Sequence, residues 1–470
     1  MSKKRNTYLI KNVGILTISN FTSKIMVFLL VPLYTRILTT AEYGIYDLVI
    51  STLQLIFPIF SVNISDAVMR YLMEKSLDKE NVIKIGIKYI TLSIIPVIIF
   101  LYLCERFNFL GDINGFILVI FCYYISYAYN QFLIQCSKGL ELITDMAFSG
   151  ILGTIVLLLS NILFLLVFDK GLSGFFWANV LSQAIPAVYL TFKVDIFKYI
   201  KVKVQDNQLR IEMLNYCIPL IFSVIGWWVN NAADKYVVTL ICGAAANGIL
   251  SVAYKIPSIL NTFQSIFIQA WQISAVKEFE SGDSQEFYGN IFVLLNVLMG
   301  VIAAVLILLA KQIANILYAN EFYSAWRYVP FLLVANVINS ASGFLGPILS
   351  AMKDSKSMAK SAIYGTLVNI FLNILFIKYF GVQGATVATA ISSFAIYYVR
   401  RRAVKENIKI TSIWKVYTTW MILCIHGFIS IFTLPFYCEI VMIGIMIFIN
   451  KKELLIIINK FLNVKGEKRK

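Results

Sequence analysis

Residues 153–182 read GTIVLLLSNILFLLVFDKGLSGFFWANVLS, and residues 365–392 read GTLVNIFLNILFIKYFGVQGATVATAIS. With two residues deleted in the turn, Gly153, Thr154, Asn161, Ile162, Leu163, Phe164, Gly171, Gly174, Ala178 and Ser182 match Gly365, Thr366, Asn373, Ile374, Leu375, Phe376, Gly381, Gly384, Ala388 and Ser392. Agreement of this density indicates an internal duplication. The small residues in the pattern are typical of helices that approach each other closely in lipid.

Apolar windows surround both copies. Of the 470 residues, 59% are hydrophobic and 14% are charged, which leaves too few polar side chains to coat soluble domains. A membrane span needs about 20 apolar residues. Such windows lie near 9–34, 43–67, 84–104, 113–136, 146–168, 172–192, 213–235, 244–269, 289–310, 326–350, 361–379, 382–399, 413–432 and 435–450. The sequence therefore predicts an all-α integral membrane protein with about fourteen transmembrane helices.

The duplication and the spans together predict the architecture. Each copy belongs to a six-helix unit, and an even number of spans gives both units the same orientation in the membrane, as in transporters with parallel repeats. We predict an N-terminal six-helix lobe at 1–200 and a pseudo-symmetric second lobe at 201–405. Two extra transmembrane helices and a basic cytoplasmic tail occupy 406–470. Two similar lobes imply a central cavity.

The net charge of +16 is explained by membrane orientation. Basic residues are concentrated in alternate connecting segments, including the run from Arg400 to Lys409, and cytoplasmic segments retain Lys and Arg. This pattern predicts that both termini are cytoplasmic and that the first helix is retained. Basic clusters of this kind serve as topology anchors and contacts for anionic headgroups, so a nucleic-acid partner is not expected.

Several classes of protein are disfavoured by what the sequence lacks. The seven cysteines show no CxxC spacing, and the single histidine, His426, reads as a packed helix residue. No GxxxxGK[ST] motif is present. External loops are too short for the catalytic loop of a glycan polymerase or ligase. We expect no catalytic residue, metal or cofactor, and hence a protein that is not an enzyme.

Three motifs carry a family resemblance. They are YTRILTTAEYGIYDL at 34–48, NNAADKYVVTLICGAAANGILSVAYKIP at 230–257, and NILF followed by GxxG in each repeat. With the span layout, they resemble the polysaccharide-repeat flippases of the multidrug/oligosaccharidyl-lipid/polysaccharide exporter superfamily over essentially the whole chain.

The resemblance implies a function and a location. Such a protein moves an undecaprenyl-diphosphate-linked oligosaccharide across the bacterial cytoplasmic membrane, by alternating access, for O-antigen, capsule or lipopolysaccharide biosynthesis. The implied partners are this lipid-linked substrate, the membrane and other polysaccharide-assembly proteins.

Two lysines interrupt apolar spans near mid-depth. Lys24 lies in the first span and Lys255 in the eighth, two residues before Pro257. A cation at the bilayer centre costs roughly 2.5–3.5 kcal/mol, so such residues normally face a wet cavity or a partner. We predict that both line the cavity and bind the diphosphate as point charges. In the competing interpretation, each lysine snorkels or neutralises an acid such as Asp47 or Asp66.

Further residues are candidates on the same resemblance. Asp234, Lys235, Asn231 and Tyr254 are predicted gate or sugar contacts, with an interfacial ion pair at a helix end as the alternative for Asp234 and Lys235. Arg36 and Arg70, at the ends of spans one and two, are rim residues or anchors. Asp47 and Asp66 are the acids assigned to span interiors, and Asp47 is the candidate for a coupling ion.

Two other functions compete with the flippase. A cation-coupled multidrug exporter of the same superfamily would favour cavity carboxylates, whereas lysines repel a cationic drug. A membrane glycan polymerase or ligase is opposed by the short outer loops and by the absence of a recognisable acid/base pair.

Overall fold

The computed structural model describes residues 21–74, 78–107, 115–200, 207–281, 285–352, 354–457 and 459. Within these ranges the chain is built from helices and contains no strand, which confirms the all-α prediction. Ten described helices are long and apolar enough to cross a membrane, and Ala244–Ala253 and Phe436–Ile449 are shorter apolar helices. This set is consistent with about fourteen spans, and the chain is a multi-pass membrane protein.

The helices are numbered in chain order. They are α1 (residues 21–29), α2 (Val31–Ile37), α3 (Thr40–Phe60), α4 (Ile64–Leu72), α5 (Lys79–Leu92), α6 (Ile94–Arg106), α7 (Ile117–Gly139), α8 (Ile143–Asn161), α9 (Gly171–Val194), α10 (Ile196–Ile200), α11 (Asn207–Cys242), α12 (Ala244–Ala253), α13 (Lys255–Ser281), α14 (Gln285–Leu308), α15 (Ala310–Leu317), α16 (Val329–Ala351), α17 (Ser355–Phe380), α18 (Val382–Ala403), α19 (Ile413–Ile431) and α20 (Phe436–Ile449). A π-helical turn, Ile162–Val167, follows α8, and a 3₁₀ segment, Asn320–Tyr328, precedes α16.

The chain folds into two compact units, Met1–Trp228 and Val229–Lys470. The boundary between them falls inside α11, near its middle. The finer division into lobes at 1–200 and 201–405 with a separate C-terminal pair stays a prediction.

In the first unit, α9 packs along α7 and α8, and α4 packs on α7. The helix α3 begins with a capping box: Thr39 Oγ1 accepts the Glu42 N–H at 3.2 Å, and the Glu42 carboxylate accepts the Thr39 N–H at 2.8 Å. This reciprocal pair satisfies two N–H groups that a helix start leaves without partners. The sharp turn between α2 and α3 is therefore fixed by local residues.

In the second unit, α16 is the central helix and packs against α13, α14, α18 and α19. The Trp271 ring of α13 stacks on Phe344 of α16 with centroids 4.2 Å apart. The indole N–H of Trp271 also donates to the Phe344 carbonyl oxygen at 2.9 Å. The apolar ring of this buried tryptophan is thus packed against another ring, and its single hydrogen-bond donor has an acceptor.

The repeated sequence makes the same close helix contact in each unit. A Cβ added at Gly174 would lie 2.9 Å from the Cβ of Phe164, and one added at Gly384 would overlap the Phe376 carbonyl group. Phe164 and Phe376 occupy equivalent positions of the duplication, as do the two glycines. Glycine is therefore required at both positions because the preceding helix approaches too closely for a side chain.

The two copies differ where the first has two extra residues. After Asn161 the first unit forms the π-helical turn Ile162–Val167, whereas α17 continues as an α-helix to Phe380. A π-helical turn accommodates an inserted residue without breaking the helix.

Prolines lie both at helix starts and inside helices. Pro58, Pro186, Pro219 and Pro347 lie inside continuous helices. Pro257 instead follows a break in the helical chain, since Tyr254 separates α12 from α13. This break is the feature that positions the candidate site.

An ion pair ties α10 to the start of α5 outside the spans. Lys198 Nζ lies 2.8 Å from Glu80 Oε1. The hydrogen bond and the charge of Glu80 raise the pKa of Lys198 above its usual 10.5. The stabilisation is fully present below 10.5 and is lost only as the pH rises through the raised value, so we expect the pair to persist at neutral pH.

Candidate functional site

Lys255 lies at a helix break in the second unit. It is the first residue of α13 and is half-buried, directly after Tyr254. Pro257 has no N–H, so the hydrogen bond that would reach the Ala253 carbonyl group cannot form. The sequence predicted a bend at Pro257, and the structure has a break that begins three residues earlier.

Neighbouring elements stabilise this break through carbonyl groups. Tyr318 Oη donates to the Val252 carbonyl oxygen at 3.0 Å. Asn336 Nδ2, from α16, donates to the Pro257 carbonyl oxygen at 3.2 Å. These contacts fix the chain three residues before and two residues after Lys255. They involve carbonyl groups other than that of Ala253, which is the one that Pro257 leaves without its helical N–H partner.

Asp234 is the charged residue of α11 that contacts the break. Its side chain is 5% exposed, and the Tyr254 hydroxyl donates to its carboxylate. The Lys235 backbone N–H donates to Asp234 Oδ1 at 2.9 Å. The structure thus brings together Asp234, Lys235, Tyr254 and Lys255 in one unit. The Asn231 side chain lies outside the described part of the structure.

Lys24 lies on α1 of the first unit, and its side chain is exposed. Within the described ranges, neither Lys24 nor Lys255 forms an ion pair with a carboxylate. Asp66 accepts hydrogen bonds from Asn63 Nδ2 at 2.9 Å and Gln135 Nε2 at 2.8 Å. In the part of the chain that the structure describes, neither lysine is therefore neutralised by an acid.

The other predicted charges lie on short or capped elements. Arg36 is in the last turn of α2 and is exposed, and Asp47 is half-buried on α3. Arg70 is in the last turn of α4, 3.7 Å from Glu74, with both side chains about half exposed. Cations in a last turn interact favourably with the helix dipole, so the positions of the two arginines also suit anchoring.

The aromatic residues of the 34–48 motif form a packed cluster. The Tyr34 and Tyr43 rings stack with centroids 4.9 Å apart, and both side chains are buried. Tyr46 packs on Phe175 and donates its hydroxyl hydrogen to Asn179 Oδ1 at 2.8 Å. In this unit the motif therefore holds α2 and α3 against α9.

The guanidinium of Arg400 was missed as an interior group. Its Nε donates to Ser361 Oγ at 3.0 Å, and its Nη1 donates to the Ser342 carbonyl oxygen at 2.9 Å. Arg400 belongs to a run of three arginines, which point to different faces of α18. The run itself predicts an anchor, and only helix packing identifies the arginine that turns inward.

A second omission concerns Glu439 in the last predicted span. It was not counted among the span acids, although it lies at the fifth position of the 435–450 window and is 4% exposed. Its carboxylate lies 3.4 Å from His426 Nε2. His426 is buried, as predicted. The signal in the sequence is that Glu439 and the only histidine, His426, lie in adjacent apolar windows.

Replacing Tyr318 by Phe should destabilise the second unit. The substitution removes one hydrogen bond to the Val252 carbonyl oxygen, which also accepts from the Tyr254 N–H, and costs about 0.5–1.5 kcal/mol. Denaturant titration of the purified protein in detergent measures the free energy of unfolding. Tyr323→Phe, at a side chain that is 40% exposed, is the matched control. Equal effects of the two variants would contradict the role assigned to Tyr318.

Comparisons with known proteins identify the family of the chain. The family described as "Polysaccharide biosynthesis protein" matches residues 9–272, more than half of the chain. A probable low-salt glycan biosynthesis flippase, Agl15, from Haloferax volcanii is 24% identical over 193 residues. That match covers 39% of this chain, and the chain spans 40% of the relative's length.

Solved structures share the fold. The lipid II flippase MurJ in an inward closed conformation matches with a TM-score of 0.68 at 15% identity, over 95% of this chain and 99% of that one. An inward-facing multidrug resistance MATE transporter of the MOP superfamily matches with a TM-score of 0.64 at 13% identity, over 83% and 95%. The fold is that of the predicted superfamily, and the chain belongs to the family of polysaccharide biosynthesis proteins.

Proposed function

We propose that this protein is a flippase that moves undecaprenyl-diphosphate-linked oligosaccharide repeat units across the bacterial cytoplasmic membrane for surface polysaccharide biosynthesis. Transport proceeds by alternating access, and both termini are cytoplasmic. Lys24 and Lys255 bind the diphosphate, and Tyr254, Asp234 and Lys235 lie beside the path of the sugars. The protein acts as a transporter and catalyses no covalent step.

The observation that carries the proposal is the position of Lys255. An amine within an apolar window, at a helix break and without a carboxylate partner among the described residues, needs an anion or water. The backbone stays helical through the break, since the Tyr254 N–H donates to the Leu250 carbonyl oxygen and the Ser258 N–H donates to the Tyr254 carbonyl oxygen. Helix irregularities at membrane depth are tolerated where they line a cavity or are buried in protein, and the proposal assigns this one to the wall of a cavity. A diphosphate is an anion of suitable charge for such a site.

The relatives support the same chemistry. One curated relative is a probable glycan biosynthesis flippase, and one structural relative is a lipid II flippase. The first name describes a flippase in glycan biosynthesis, and the second describes a flippase of lipid II. By inference from these relatives, the substrate of this chain is a lipid-linked glycan.

The alternative is a cation-coupled multidrug exporter, since MATE transporters share the fold. A cationic drug needs an available carboxylate. The buried Asp234 carboxylate already accepts hydrogen bonds from Tyr254 and from the Lys235 N–H. Lys235 and Lys255 directly follow the two members of this pair along the chain, and their amines repel a cation.

The experiment is complementation of a strain that lacks its own polysaccharide flippase. Restored surface glycan, with loss of the lipid-linked precursor that accumulates in that strain, supports the proposal. The same plasmid in a strain deprived of drug efflux pumps tests the alternative through resistance to cationic dyes. Drug resistance without glycan display would replace the flippase with the exporter.

A further inference from the structure

The C-terminal helices α19 and α20 contain an acid–base pair that the proposed transport step does not use. His426 Nε2 lies 3.4 Å from Glu439 Oε2, and the two residues are 0% and 4% exposed. Both lie inside apolar helices. Ionisable side chains are costly inside a membrane and are commonly functional there, as in proton relays.

The charges around the pair can be enumerated in the described residues. The helices α14, α16 and α20 pack against α19, and α18 touches it through aromatic rings. Their titratable side chains, with those of α19, are Glu286, Tyr288, Tyr397, Tyr398, Arg400, Arg401, Arg402, Lys415, Tyr417, Cys424, His426, Tyr437, Cys438 and Glu439. The helix α16 contributes none.

Most of these groups have other partners or lie at the far end of α19. Glu286 pairs with Lys409, and Lys415 pairs with Glu453. The aromatic contacts with α18 are at Tyr417 and Trp420, nine and six residues from His426, or roughly 13 and 9 Å along the axis. Near His426, the neighbouring Gly427 meets Pro330 and Phe331 of α16, which are apolar. Lys311 of α15 and Arg327, which lies just before α16, lie over the Trp326 ring. Glu439 is thus the carboxylate that faces His426.

Electroneutrality fixes the preferred number of protons on the pair. As an imidazolium–carboxylate ion pair, the two groups have no net charge. Loss of the imidazolium proton leaves one negative charge, and a proton added to the carboxylate leaves one positive charge. A net charge in an apolar site is unfavourable, so the ion pair is preferred to either charged state.

The pair also belongs to a series of polar contacts that α19 makes with α20 and the residues that follow it. Lys415 lies 2.7 Å from Glu453, and Asn450 Nδ2, directly after α20, donates to Thr419 Oγ1 at 3.2 Å. His426 and Glu439 form the contact closest to the turn at 432–435. A proton that neutralises Glu439 leaves the other two contacts intact and weakens the helix pair at its turn.

The turn that joins α19 to α20 is exposed and close to the pair along the chain. Phe432 is 69% exposed and Leu434 is 48% exposed. Glu439 lies three residues after the start of α20, which is about 5 Å along a helix axis. The turn is therefore the end of the two helices that lies nearest to the pair.

We propose that His426 and Glu439 form a proton-binding site of the second unit. The site takes its second proton from the side of the membrane on which the 432–435 turn lies, and this proton loosens α19 from α20 at the turn. The proposal concerns a site separate from Lys255 and stands whether or not the transported molecule is a lipid-linked glycan.

The test is labelling of the full-length protein by dicyclohexylcarbodiimide, which modifies protonated carboxyl groups in apolar surroundings. We expect labelling of the Glu439 peptide, read by mass spectrometry, to rise severalfold from pH 8 to pH 5. In His426→Gln the carboxyl group loses its cationic partner and is labelled already at pH 8. Glu453, paired with Lys415, is the internal control. Labelling of Glu439 that is independent of pH and unchanged in His426→Gln would overturn the proposal.

A second measurement is needed if the single variant folds poorly because one buried charged group has lost its partner. The double variant His426→Gln with Glu439→Gln leaves no buried charged group unpaired at this site. We expect the thermal midpoint of the wild type in detergent to fall between pH 8 and pH 5 as the second proton binds. The thermal midpoint of the double variant should vary less over the same range. Identical profiles of the two proteins would reduce the pair to a packing contact.

Discussion

A Lys255→Ala variant should lose surface glycan display by roughly ten- to a hundredfold in the complementing strain. A hydrogen bond to a charged group contributes about 1.5–3 kcal/mol, and each 1.4 kcal/mol is about tenfold in binding. Lys255→Glu should lose more, because a carboxylate at the helix break repels the diphosphate. The measurement is the amount of surface glycan, normalised to the amount of the variant in the membrane.

Two variants control for charge and for folding. Lys255→Arg keeps the cation and should retain part of the display, although a guanidinium is not a geometric substitute for a compact amine. Lys378→Ala removes an equal charge from an exposed position on α17 and should behave as the wild type. Lys24→Ala should lose display as Lys255→Ala does. Wild-type display by both Ala variants would contradict the assignment of the two lysines to the diphosphate.

The sequence was sufficient for the parts of the fold that depend on repetition and on apolar length. The duplicated GxxG pattern predicts close helix contacts, and Gly174 and Gly384 make equivalent contacts with Phe164 and Phe376. Because a repeat preserves both spacing and neighbours, the contact in one copy predicts the contact in the other. The number of spans followed from window length in the same way.

The partners of the helix break could not be predicted in this way. Pro257 indicated a bend near Lys255, but Tyr318 and Asn336 lie more than sixty residues further along the chain. Neither shows a periodic signal, and both are polar residues of ordinary type in or beside an apolar window. Only the packing of α16 and the 3₁₀ segment against the break identifies them.

A related limit applies to single polar residues in apolar windows. His426 was correctly predicted to be buried, yet burial alone does not name a partner. Glu439 lies thirteen residues away, across a turn, and the antiparallel packing of α19 and α20 is what brings the two together. Polar groups in membrane helices therefore have to be compared across neighbouring spans and not only counted within each one.

Replacing Gly384 by Val should destabilise the second unit by about 3 kcal/mol. The Cβ would overlap the Phe376 carbonyl group and lie 2.8 Å from the Ile377 nitrogen. These are backbone atoms of α17, which cannot move aside as the end of a flexible side chain does, and overpacking of this kind costs about 1–3 kcal/mol or more. Denaturant titration in detergent measures the loss, and Gly384→Ala should show a smaller one.

The matched control is Gly444→Val in α20, where nothing lies within 4 Å of an added Cβ. Both glycines lie inside helices of the second unit, so both substitutions gain helix propensity, which is worth a few tenths of a kcal/mol. The difference between the variants therefore isolates the contact with Phe376. Gly174→Val should be destabilising too, but less so, because the groups it meets include side-chain Cβ atoms of Lys170 and Phe164 at 2.9 Å. Equal stability of the Gly384 and Gly444 variants would show that the two helices separate at little cost, and the duplicated glycines would then need a different explanation.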